Sequence, residues 1–288
     1  YSIRPDNFAG TVNASNNYWG SDNPDFSVLI DKSRAPNGSV DYFPYYSDVA
    51  LSTLIYKMVT ISEDTVWATP HPNQKVTILD GATLTLSAPM SLDTVTMREG
   101  AQVKSNLADQ TGSVTTKSLR FSPNLSGTGW KAFGMPFTSA VINNSTEEEI
   151  LAPSQQSADN GIWFARLKDN KTPEFVVDET AFGMAGLWAA NGDTYTISSE
   201  GAFEFKTLEE PAAPTETGTF LMCSNPNTFT ITLKQSAYIL TADGTSFEQE
   251  ANPEIKPFQS FVLTDTKTLS TLRSLRIGDG VVTGTQGI

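Results

Sequence analysis

Between residues 58 and 118 the chain repeats a strand–turn–strand pattern. Val76-Thr77-Ile78 is followed by Asp80-Gly81-Ala82-Thr83-Leu84. Nineteen positions later, Val95-Thr96-Met97 is followed by Glu99-Gly100-Ala101-Gln102-Val103. A fainter copy precedes them at Val59-Thr60-Ile61, and another trails at Val114-Thr115-Thr116. Alternating apolar and polar residues put every second side chain on one face of a strand. The acidic residue and glycine between the two strands of each copy are a turn signal, because glycine reaches the backbone conformations that tight turns need. One such unit cannot bury its own apolar face. A short fixed period therefore points to stacked rungs or a regular meander.

The rest of the chain carries the same strand character. Candidate strands are Trp163-Phe164-Ala165-Arg166-Leu167, Glu174-Phe175-Val176-Val177, Thr194-Tyr195-Thr196-Ile197, Ala202-Phe203-Glu204-Phe205, Phe229-Thr230-Ile231-Thr232-Leu233, Tyr238-Ile239-Leu240 and Phe258-Gln259-Ser260-Phe261-Val262-Leu263. Turn clusters such as Lys168-Asp169-Asn170-Lys171 and Ala242-Asp243-Gly244-Thr245 separate them, a spacing that suits a sandwich. One helix is expected over residues 144–150, with Ser145 as N-cap and Glu148 as its capping-box partner. The expected fold class is all-β. Residues 1–57 form a first unit, 58–118 a β-repeat segment, 119–278 an antiparallel β-sandwich, and 279–288 a linker.

Composition bounds the chemistry. The net charge of −13 disfavours binding to phosphate backbones or anionic lipids, so no nucleic-acid partner is expected. No run of about 18 apolar residues is present to span a membrane. The chain has one cysteine, Cys223, and one histidine, His71. They cannot complete a disulfide or a usual zinc site. Cys223 lies in the strand-like run Thr219-Phe220-Leu221-Met222-Cys223 and reads as a small buried hydrophobe. His71, in Thr69-Pro70-His71-Pro72-Asn73, reads as an exposed loop tip rather than a triad base. No Walker or Rossmann spacing occurs, and no cofactor is expected. Asp22, Asn23 and Asp25, and likewise Asn191 with Asp193, carry oxygens that could meet calcium, but their spacing is that of turns. Trp130 reads as core, and so does Phe137. Among the aromatics, Trp188 stands in a Gly/Ala/Asn-rich stretch with Tyr195 nearby, which makes these two the candidates for stacking on sugar rings.

Two stretches resemble known surface proteins. Val12-Asn13-Ala14-Ser15-Asn16-Asn17-Tyr18-Trp19-Gly20, with the later Val40-Asp41-Tyr42-Phe43-Pro44-Tyr45-Tyr46-Ser47-Asp48, resembles the closing coil and tail of right-handed parallel β-helix domains in bacterial surface proteins. On that resemblance, earlier coils precede Tyr1 and Trp19 caps the apolar core. Gly129-Trp130-Lys131-Ala132-Phe133-Gly134-Met135-Pro136-Phe137 is similar to the opening of a module common in Bacteroidetes surface proteins. In that family a β-repeat precedes the module, as here. Gly218-Thr219-Phe220, Tyr238-Ile239-Leu240 and Ile255-Lys256-Pro257-Phe258-Gln259-Ser260-Phe261 follow in the family's order. Gly186-Leu187-Trp188-Ala189 departs from the family's strand at that place. The family also implies that residues 279–288 lead into a C-terminal sorting domain.

The resemblance implies a secreted or cell-surface location on the outer face of a Gram-negative bacterium. The function it implies is that of a non-catalytic structural or binding module, serving adhesion or contact with surface or host glycans or proteins. The alternative is an accessory region of a carbohydrate-active enzyme, a β-helix lyase or hydrolase whose catalytic part lies upstream. The resemblance further implies O-glycan attachment at Asp-Thr followed by a small apolar residue. Asp64-Thr65-Val66 and Asp93-Thr94-Val95 fit, which makes Thr65 and Thr94 candidates beside turns.

Overall fold

A computed structural model of the chain describes residues 11–30, 39–107, 111–127, 129–135, 140–146, 149–150, 164–172, 174–177, 185–189, 192 and 194–277. Among them the chain is mostly β, built from several sheets that include antiparallel ones.

The first unit holds β1 (Thr11–Asn13), the short helix α1 (Phe26–Leu29), β2 (Ser39–Asp41), β3 (Tyr45–Tyr46) and β4 (Leu54–Ile55). β1 and β2 pair in parallel, and β3 and β4 pair antiparallel. An aromatic cluster fills the unit. Phe26 stacks on Tyr42 with ring centroids 3.7 Å apart and meets Trp19 edge-on at 5.5 Å. Trp19 is buried in this cluster. The described residues nevertheless form no closed β-helix coil. Two strand pairs and an aromatic plug stand where a terminal coil is expected.

The repeat folds into two parallel ladders. β5 (Met58–Ile61), β7 (Lys75–Ile78) and β9 (Met90–Arg98) stack in one sheet, and β6 (Thr65–Trp67), β8 (Thr83–Leu86) and β10 (Gln102–Ser105) stack in another. Register aligns Val59 with Val76 and Val95, and Leu84 with Val103. The inward side chains Val76, Ile78, Leu84, Leu86, Val95, Met97 and Val103 are all buried in one cluster. Each acidic–glycine pair makes the corner between ladders. Ala82 N–H donates to the Leu79 carbonyl at 3.1 Å, and Ala101 N–H to Arg98 at 3.0 Å. Gly81 and Gly100 take φ of 77° and 86°, the left-handed region that such a turn requires.

The last copy sits elsewhere than its sequence suggests. In β11 (Val114–Ser122), Leu119 and Phe121, not Val114, align with Val95 and Met97. Val114 pairs with Met90, because the connection after β10 is longer than the earlier ones. β11 also crosses the expected division at 118/119. Its far edge pairs antiparallel with β18 (Thr196–Ser199) and β19 (Phe203–Glu204). The parallel stack therefore runs without a break into antiparallel sheet.

Between β11 and those strands lie β12 (Trp130–Phe133), β13 (Ala140–Asn143), β14 (Glu149–Ile150), β15 (Phe164–Leu167), β16 (Phe175–Val177) and β17 (Gly186–Ala189). β13 and β14 extend the large sheet beyond β18, giving the order β14-β13-β18-β11-β9-β7-β5. The helix expected over 144–150 is corrected by this pairing. Asn144 Oδ1 accepts from Thr146 N at 3.0 Å, closing a turn, and Glu149 then pairs with Asn143. The polar signals of an N-cap also serve a turn, and so short a helix has little stability of its own. β12, β17, β15 and β16 make a separate four-stranded antiparallel sheet.

The final part holds β20 (Phe220–Ser224), β21 (Ile231–Thr232), β22 (Ala237–Leu240), β23 (Ser246–Glu250), β24 (Glu254–Ile255), β25 (Ser260–Thr264), α2 (Thr266–Thr271) and β26 (Ser274–Arg276). Five of these strands form an antiparallel sheet in the order β20-β25-β22-β23-β26. Trp130 is buried with Leu187, Phe220, Tyr238 and Phe247, as its place in the sequence suggests. Phe137, Trp163, Asn191 and Asp193 lie outside the described residues. No helix among the described residues is long and apolar enough to cross a membrane.

Candidate functional site

Trp188 and Tyr195, the expected sugar-stacking pair, are both buried. Trp188 is 0% exposed and Tyr195 4%. Trp188 stacks on Phe133 at 4.5 Å and meets Phe164 edge-on at 5.6 Å. The small residues around it do not expose it. A Cβ at Gly186 would lie 2.2 Å from the Phe164 ring, so small size here makes room for aromatic packing.

Thr65 and Thr94 differ in setting. Thr65 starts β6, the outer strand of its ladder, and its hydroxyl donates to the Glu63 carbonyl at 2.9 Å. Thr94 does not flank a turn as expected. It lies in the middle of β9, between Lys75 and Ser118 on the neighbouring strands. Its hydroxyl donates to Asp93 Oδ2 at 3.2 Å, and Asp93 in turn takes the Lys117 ammonium at 3.2 Å.

His71 is not a bare loop tip. It is half-buried, with its ring 4.4 Å from that of Trp67. Desolvation, with the nearby Lys57 charge, pushes its pKa below the usual histidine value. Cys223 is half-buried as a residue, and burial pushes its thiol up to about 12, so the nucleophilic thiolate is disfavoured. Asp25, one of the turn oxygens, is occupied as the N-cap of α1, accepting from Ser27 N at 2.9 Å. Among the described residues no group of His, Cys, Asp or Glu is placed to hold a metal ion.

Among the surface depressions of the described residues, the two widest gather polar side chains. The first, about 530 Å³, follows the corner of the stack and is lined by Asp80, Arg98, Glu99, Asn124, Thr194 and Lys256. Its carboxylates are part of the architecture. Glu99 Oε2 accepts from Asn124 N at 2.7 Å, tying the corner to the chain beyond β11. The Asp80 carboxylate lies directly over Gly100, where a Cβ would fall 1.9 Å from its Oδ1.

The second depression, about 510 Å³, lies between the first unit and the opening rungs. Phe43, Tyr56 and His71 line it with ring surface, and Asp41, Asn73 and Gln74 with polar groups. All three aromatic residues are half-buried. The Lys117 ammonium lies over the Tyr56 ring, 5.1 Å from its centroid. The Gln74 side-chain oxygen is buried and accepts no hydrogen bond among the described residues. Leaving such an acceptor unmet costs about 1–3 kcal/mol. Nothing in the local sequence around Phe43, Tyr56 or His71 marks them as a group. They meet only because the first unit packs beside the loop that joins β6 to β7.

Two further residues hold the architecture without a sequence signal. Asn225 is fully buried and donates to the carbonyls of Phe229, Ile255 and Lys256 at 2.8–3.1 Å. Asp265 caps α2, accepting from Lys267 N and Thr268 N at 3.0 and 3.1 Å, and also from Gly218 N at 2.8 Å. These bonds, led by that from the Thr268 hydroxyl, lower its pKa to about 2.

Comparison of the chain with protein-family models, with curated proteins and with solved structures finds no match.

Proposed function

We propose that the chain is a non-catalytic structural and binding module of a secreted, cell-surface protein, of the Bacteroidetes type that its motifs resemble. In this reading the first unit ends a β-helix, and residues 119–278 are a β-sandwich that terminates the repeat. One observation carries the reading. β11 has parallel partners on one edge and antiparallel partners on the other, so the rungs and the following sheet make one continuous body. A stack whose open end is closed by covalently continuous antiparallel strands suits a rigid spacer, because the exposed edge of a parallel ladder otherwise invites pairing with other chains. The net charge of −13 favours solubility and disfavours phosphate partners.

The test has two parts. In the native host, a membrane-impermeant label applied to intact cells should reach the protein. The purified chain should turn over no polysaccharide, ester or peptide. Retention inside the cell would contradict the location, and hydrolysis abolished by replacing a single carboxylate would contradict the absence of catalysis.

A further inference from the structure

We propose that the groove between the first unit and the opening rungs binds a neutral oligosaccharide. The proposal names the ligand of the binding module and rests on that reading only for its setting, since it is tested on the purified chain.

A pyranose has a face of C–H groups and a rim of hydroxyls. A site that recognises it needs ring surface beside hydrogen-bonding groups. The groove supplies both, in a volume of about 510 Å³. Phe43, Tyr56 and His71 give ring surface, and Asp41, Asn73 and Gln74 give donors and acceptors. Two of the rings are fixed before a ligand arrives. The Trp67 indole backs His71 at 4.4 Å, and the Lys117 ammonium lies 5.1 Å from the centroid of Tyr56. Rings held in place lose little freedom when a sugar docks.

Charge selects within the sugars. The groove brings together one carboxylate, Asp41, and one ammonium, Lys57, and so presents no excess cation to an acidic glycan. His71 adds none, because desolvation and Lys57 both favour its neutral form. The overall charge of −13 repels polyanions further. The depression at the corner of the stack has carboxylates and cations but no aromatic ring in its wall, and the smaller one beside it, about 200 Å³, is bordered by Phe121, Trp130 and Phe133, which are all buried in the core.

His71 is the only histidine of the chain, so its C2–H proton resonance reports this groove without assignment work. Cello-, manno- and xylo-oligosaccharides, with oligogalacturonate as the acidic control, are titrated to about 10 mM, a range that captures weak sugar binding. At least one neutral oligosaccharide should shift the resonance saturably, and oligogalacturonate should not. Tyr56→Ala should weaken that binding by about tenfold or more. Asp41→Asn, which keeps an acceptor for Phe43 N–H, should also weaken it, and Lys256→Ala, outside the groove, should leave it unchanged. No saturable shift with any neutral oligosaccharide would overturn the proposal. So would a preference for the acidic control. Any of these would leave the surface-module reading standing, because that reading is decided by labelling of intact cells and by the turnover screen.

Discussion

Replacing Gly100 with alanine tests the stacking of the rungs at a single point. Gly81 and Gly100 hold the same place in successive corners, with φ of 77° and 86°. Alanine at either position must adopt the left-handed conformation, which costs roughly 1–2 kcal/mol. Their surroundings differ. A Cβ on Gly81 meets nothing within 4 Å, whereas one on Gly100 falls 1.9 Å from Asp80 Oδ1 of the preceding rung. Asp80 can turn away, at a further cost of about 0.5–1.5 kcal/mol for an unfavourable rotamer. Gly81→Ala should therefore lose about 1–2 kcal/mol and Gly100→Ala about 1.5–3.5 kcal/mol. In an Asp80→Ala background the excess at Gly100 should vanish, while the backbone cost remains. The assay is urea unfolding of the four single and double variants, with the coupling read as a double-mutant cycle. Equal losses at Gly81 and Gly100, with no coupling to Asp80, would refute the corner-on-corner arrangement.

Two further outcomes follow from the core and from the α2 cap. Trp130 is 5% exposed among Phe220, Tyr238 and Phe247, so Trp130→Ala should lose about 3–5 kcal/mol in the same assay, and a loss below about 1 kcal/mol would place the ring outside the core. Asp265 has a folded pKa of about 2, below the ordinary aspartate value near 3.9, so its ionised form stabilises the fold above about pH 4 and that contribution is lost as pH falls toward 2. Asp265→Asn should lower the thermal midpoint at neutral pH, and the gap from the unaltered protein should shrink between about pH 4 and pH 2; a constant gap would show that the carboxylate charge is not what holds the cap.

The repeat was legible because its signal is local. Val76 and Val95, with Asp80-Gly81 and Glu99-Gly100, carry strand alternation and turn chemistry within a few residues of each other. The trailing copy misled for the same reason. Val114-Thr115-Thr116 matches the pattern, yet a longer connection after β10 moves Leu119 and Phe121 into register. Most strand candidates after residue 160 that fall among the described residues are strands, though often shorter than their sequence runs; Phe229–Leu233, for example, contributes only Ile231–Thr232. Burial was harder to read than secondary structure. Trp188 sits among small residues that suggest an open loop, but Gly186 is small because the Phe164 ring lies against it. The groove is a tertiary product. Phe43, Tyr56 and His71 come from separate turns and loops, and no periodicity joins them. Asn225 and Asp265 are likewise ordinary turn residues in sequence, and only the convergence of backbone groups on them shows their part in the fold.

The parallel rungs and the antiparallel sheet meet on the two edges of β11 and so form one body. Native-state hydrogen exchange across β7, β9, β11 and β18 tests it most directly. The protected amides of all four strands should exchange through one opening, with the same free energy and the same dependence on denaturant. Exchange of β7 and β9 through a separate, less stable opening, with a break in protection between β9 and β11 or between β11 and β18, would contradict it.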